Sequence, residues 1–82
     1  MIKKLYSVYD KKAQSTLAVF ETTNDLVAIR DFSQACTNKD SQIAKFAEDY
    51  QLMCLGELNT ETAVIAPDVR IIAQAKEYVQ AE

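Results

Sequence analysis

The chain has no histidine and no tryptophan, one glycine, one proline and two cysteines in 82 residues. Each shortage removes a class of chemistry. Without His there is no Ser–His or Cys–His pair, and the commonest general base and zinc nitrogen ligand are missing. A single Gly excludes the Gly-rich loops that cradle phosphates. Cys36 and Cys54 form no C-x-x-C and each lies among apolar neighbours. They read as two buried thiols in a reducing compartment rather than as a disulfide framework. No apolar run approaches the ~20 residues of a membrane helix. The start, M-I-K-K-L-Y-S-V-Y-D, is too short and too polar for a secretory h-region. Carboxylates such as Asp10, Glu57 and Asp68 flank strand or turn ends, where acidic residues are ordinary. The expectation is one intracellular, soluble domain over residues 1–82. It is not an enzyme, and it has no cofactor, no metal and no membrane partner.

What is present supports a folded domain. Hydrophobic residues make up 49% and charged residues 26%, enough apolar content to leave the disordered class. The net charge of −3 argues against a protein that coats nucleic acid, because phosphate binding is dominated by Lys and Arg. The distribution is uneven. Residues 1–12 hold Lys3, Lys4, Lys11 and Lys12 against Asp10, whereas the other residues hold five basic and eleven acidic side chains. The asymmetry reads either as a small basic patch or as solvated strand ends.

The patterning predicts an α+β fold in the order ββααββα. Ile2 to Tyr9 is rich in β-branched and aromatic residues and reads as a strand. The polar connection D-K-K-A-Q-S leads to a second strand, Leu17 to Phe20, the pair forming a hairpin. The clearest helix is Asn24–Cys36. Thr22 or Asn24 caps it, Asp25 suits its positive end, and Ala28, Ile29, Phe32, Ala35 and Cys36 fall on one core-facing stripe. Val27, Arg30 and Gln34 lie on the other side, as candidates to meet a partner. A shorter helix is expected over Ser41 to Glu48. Tyr50 to Leu58 reads as a central strand, with Leu52, Cys54 and Leu58 on one face and Met53 and Leu55 on the other. Gly56 marks a bulge or a close approach within it. After a turn at N-T-E-T, Ala63 to Ala66 is a further strand. Pro67 then reads as the first position of a closing helix over 68–80, although V-R-I-I also suits an extension of the strand. The sheet is expected to be mostly antiparallel, with about four strands and the principal helix on one face.

Tyr6 and Tyr9 on the first strand, bracketed by Lys3, Lys4, Lys11 and Lys12, make a candidate surface for stacking and phosphate contact. Three positions apart on a strand, the two rings point to opposite faces, so only one of them shares a face with Phe20. The same aromatics also suit a core.

Three stretches carry a resemblance: M-I-K-K-L-Y-S-V-Y-D-K-K-A, F-E-T-T-N-D-L-V-A-I-R-D-F and E-D-Y-Q-L-M-C-L-G-E-L-N-T-E-T. Together they resemble the small non-structural proteins of gokushoviruses and related single-stranded DNA microviruses, over roughly residues 3–62. Asn59 departs from the acidic residue common there, and Asn38 to Ala47 differs in length and content. The resemblance implies a replication-associated accessory protein in the bacterial host cytoplasm that binds single-stranded DNA weakly. Lys3, Lys4, Lys11, Lys12 and Arg30 would then meet phosphates, with Tyr6 or Tyr9 for stacking. The competing expectation is a protein-interaction module without DNA contact, which binds a viral or host replication protein or forms a homodimer through Val27, Arg30 and Gln34 or through a sheet edge.

Overall fold

The structure is a computed structural model and describes residues 1–78. A five-stranded antiparallel sheet carries one principal helix on one face. The strands are β1 (Ile2–Asp10), β2 (Ser15–Thr16), β3 (Phe20–Thr22), β4 (Tyr50–Asn59) and β5 (Val64–Gln74). Between β3 and β4 lie α1 (Asp25–Thr37), a single turn α2 (Gln42–Lys45) and a 3₁₀ turn at Ala47–Asp49. The sheet order is β2-β1-β4-β5, with β3 also pairing β1, so β5 is an outer strand.

The α1 helix forms where its caps and stripe say it should. Asn24 is extended and its Oδ1 accepts the Val27 N–H at 3.0 Å, satisfying one orphan donor of the first turn. Ala28, Phe32 and Cys36, four residues apart, are buried, and Ile29 and Ala35 flank them half-buried. At the other end, the Ser41 hydroxyl donates to the Ala35 carbonyl at 2.8 Å and the Thr37 hydroxyl to Gln34 at 2.9 Å. The helix stripe packs on Tyr6, Tyr50, Leu52, Cys54 and Ala73 of the sheet. Phe20 stacks on Tyr6 at 5.9 Å, and Tyr78 meets Phe32 edge to face at 6.4 Å. Cys36 and Cys54 are buried free thiols, as their neighbours suggested.

The expected second strand is two short pieces. Between the pairs Tyr9–Thr16 and Tyr6–Phe20, two residues of β1 oppose three, Leu17, Ala18 and Val19. The chain bulges there, and the Ser7 hydroxyl takes up the slack. It is fully buried and donates to the Leu17 carbonyl at 2.9 Å, with that of Ala18 at 3.2 Å.

The closing segment corrects the expected helix. Val64 to Gln74 is one eleven-residue strand, and Ala75–Glu77 forms a 3₁₀ turn; positions 79–80 of the expected helix lie outside the described residues. Pro67 fits because β5 has a neighbour on one side only, where a missing N–H is tolerated. Within V-R-I-I, Arg70 and Ile71 pair with Cys54 and Met53, which outweighs the helix propensity of the residues that follow.

Gly56 is a close approach and a bulge together. Its φ is +152°, and a Cβ there would sit 2.4 Å from the Ala66 carbonyl oxygen. The β1–β4 register slips by one residue beside it, with Leu55 as the extra residue. The slip moves Leu58 to the face of Met53, because Leu58 opposes Lys3, and Lys3, Leu5, Ser7 and Tyr9 alternate away from Tyr6. The expected grouping of Leu58 with Leu52 and Cys54 is therefore replaced. Gly56→Ala is expected to destabilise the fold by ~1–3 kcal/mol, measured by urea denaturation; an unchanged midpoint would contradict the close approach.

Candidate interaction surface

A polar cluster lies on the helix face of the sheet. Tyr6 is fully buried, and its hydroxyl donates to Asp25 Oδ1 at 2.6 Å. Arg70 on β5 reaches Asp25 Oδ2 at 3.4 Å and Asp68 Oδ2 at 3.0 Å. Three elements, β1, α1 and β5, thus meet at one carboxylate. The Tyr6 hydroxyl holds the Asp25 carboxyl below the usual carboxylate range, helped by Arg70 and against the effect of burial. Burial, and then the hydrogen bond to Asp25, push the Tyr6 phenol far above its ordinary value. The Tyr6–Asp25 bond docks α1, and Arg70 and Asp68 form the partly exposed rim of the cluster.

The residues expected to contact DNA are not brought together. Tyr6 is core and stacks on Phe20, and Tyr9 is half-buried on the opposite face. Lys3 and Lys11 stand at opposite ends of β1, about 26 Å apart along an extended strand. Lys3 pairs with Glu21 at 3.0 Å, and Lys4 points to the other face opposite Glu57. Lys11 reaches Gln74 Oε1 at 3.3 Å, and Lys12 is exposed in the turn that Asp10 caps. Arg30 is on the outer side of α1, 3.7 Å from Asp31. The basic side chains are dispersed, and Lys3 and Arg30 sit beside acidic partners. Val27 is half-buried and Gln34 exposed. The exposed apolar residue of α1 is Leu26, 77% exposed, which the sequence reading missed because Leu in a first turn fits the helix either way.

The face of the sheet opposite α1 is different. Leu5, Tyr9, Met53, Leu58, Ile65 and Ile71 lie on it by register. Its charged strand residues, Lys3 and Glu21, pair with each other, so the surface is close to neutral. At one end a polar ladder closes it: Gln74 Nε2 donates to Gln51 Oε1 at 3.2 Å, and Gln51 Nε2 lies 3.3 Å from the Met53 sulfur. Ser7 and Gln51 on this face are buried, Ser7 against the Leu17 and Ala18 carbonyls, and no described helix lies across the rest of it. Residues 61–71, including the outer half of β5, are all exposed. Among the described residues no three His, Cys, Asp or Glu gather as a metal would require, and no helix is long and apolar enough to cross a membrane.

The profile of the family described as Phage ORF5 protein matches residues 3–78. The chain belongs to that phage family. No curated protein and no solved structure matches it. The match runs through β5, past the stretches that carry the sequence resemblance, so the long outer strand of this Phage ORF5 protein lies within the family pattern. Asn59, at the end of β4, accepts the Glu61 N–H at 3.0 Å, a turn bond an aspartate would make equally well.

Tyr6→Phe is expected to cost ~1–3 kcal/mol at neutral pH, because it removes a bond to a charged acceptor. The Asp25 contribution is present in full above the unfolded carboxyl value of ~3.9 and is lost as pH falls through the lower folded-state value. The tyrosine contribution is present below ~10 and is lost as pH rises through the higher folded-state value. Urea midpoints of the two proteins should therefore converge on acidification; a constant gap down to pH 2 would place the effect elsewhere.

Proposed function

We propose that this Phage ORF5 protein is a non-structural accessory protein that works in phage genome replication, in the host cytoplasm, as a protein-binding module. Its partner is a viral or host replication protein, or a second copy of the chain. The observation that supports this reading is the neutral, apolar face of β1, β4 and β5, across which no described helix lies and which runs out to the exposed edge of β5. Exposed apolar patches of this kind on small domains are typical of contact surfaces. The acidic balance of the chain and the dispersal of its lysines weigh the same way.

A second reading has one observation in its favour. Tyr9 is half-buried beside the exposed turn of Lys11 and Lys12, which gives a minimal stacking and phosphate site for single-stranded DNA. Fluorescence anisotropy with a labelled oligonucleotide at two salt concentrations separates the readings. The protein-binding reading predicts no binding at low salt. Binding that falls steeply with salt and disappears in Lys11→Ala/Lys12→Ala would overturn it in favour of the DNA reading.

A further inference from the structure

The outer strand β5 is long, exposed over residues 64–71 and, among the described residues, paired on one side only. Such edges are templates for pairing with another strand. Its sequence, V-I-A-P-D-V-R-I-I-A-Q, is close to self-complementary about Val69. In an antiparallel pair with a twofold axis at Val69, Asp68 faces Arg70 of the second copy and Arg70 faces its Asp68. Pro67 faces Ile71 of the second copy, and Val69 faces Val69. Asp68 and Arg70 already lie on one side of the strand, since Arg70 Nε donates to Asp68 Oδ2 at 3.0 Å. Both remain partly exposed, at 52% and 42%.

The charges select that register. Sliding the axis by one residue toward the start of the strand sets Asp68 opposite Asp68; sliding it the other way sets Arg70 opposite Arg70. Like charges directly opposite destabilise a strand pair, and opposite charges stabilise it. We propose that two copies of the chain associate through β5, antiparallel about Val69. This deepens the protein-binding reading above and rests on it, naming the partner as a second copy. The pairing joins two five-stranded sheets into one and extends the open apolar faces across the twofold axis. Pro67 has no N–H to offer, and β5 carries register shifts against β4 near Ile72 and between Pro67 and Arg70. The second of these shifts falls at the proposed axis itself, so the new ladder is short and centred on an irregular stretch of β5, and Pro67 costs it at most one donor per copy. The proline and the shifts also block the indefinite edge-to-edge growth that a flat strand would allow.

The test is sedimentation of the full chain at rising concentration, alone and with a labelled oligonucleotide, together with disulfide trapping. The wild type is expected to reach twice its 9.2 kDa. Asp68→Lys sets a lysine against Arg70 of the second copy at both ends of the ladder and should weaken association about tenfold. Circular dichroism should show that this variant keeps its fold, because Asp68 is an exposed side chain. With oxidised glutathione as oxidant, the Val69→Cys variant should form a covalent dimer, since opposed Cα atoms in an antiparallel pair lie within disulfide reach. Ile65→Cys, facing Ala73 of the second copy, should not. A wild type that stays monomeric and ignores the oligonucleotide overturns the dimer alone. A monomer that sediments with the oligonucleotide overturns both the dimer and the protein-binding reading. Equal trapping of the two cysteine variants overturns the register.

Discussion

The carboxylate of Asp25 is the point on which the architecture depends. It stands in the first turn of α1, just after the Asn24 cap, where an acidic residue also complements the helix dipole. From there it accepts the hydroxyl of Tyr6 on β1 and faces the guanidinium of Arg70 on β5. The two strands are separated by β4, so this contact ties the helix across the width of the sheet. Tyr6 is wholly buried, and a phenol without a partner there would be costly. The bond to Asp25 therefore fixes where the helix start must lie, and the Ala28–Phe32–Cys36 stripe then covers Leu52 and Cys54.

Placing the principal helix on that face decides what remains for function. The same contact that docks α1 consumes Tyr6 and engages Arg70. The opposite face keeps Leu5, Met53 and Leu58 half-buried, with its lysine–glutamate pair neutralised internally. A surface of this character suits another protein better than a polyanion. The lysines, at two ends of β1 and on two faces, do not form the continuous positive groove that single-strand binding uses. The β4–β5 arm reaches beyond the helix, giving the molecule a 47 Å long axis and a strand edge clear of its own body.

Much of this was legible in the sequence, and the misses have physical causes. Asn24, Asp25 and the four-residue spacing of Ala28, Phe32 and Cys36 announce the helix, its start and its buried side. Gly56 announces the bulge, because only a residue without Cβ tolerates the Ala66 carbonyl at that distance. The consequence of the bulge, the change of face at Leu58, is a register effect that alternation along one strand cannot reveal. Pro67 followed by Asp68 looks like a helix start, and local propensity has no access to the neighbour, β4, that makes the segment a strand. Tyr6 offered both a core and a surface reading. Its hydroxyl partner lies nineteen positions on, at Asp25, so only the fold could decide. The likeness of Asp68 and Arg70 to a self-pairing motif becomes visible only once β5 is known to be an edge.

The most direct test of the account is amide hydrogen exchange, followed in dilute and concentrated protein and with an oligonucleotide added. If the module works through its sheet edge, concentrating the protein slows exchange in Val64–Gln74, and the oligonucleotide changes nothing. Protection by the oligonucleotide over Ile2–Lys12, with no concentration dependence in Val64–Gln74, would contradict it.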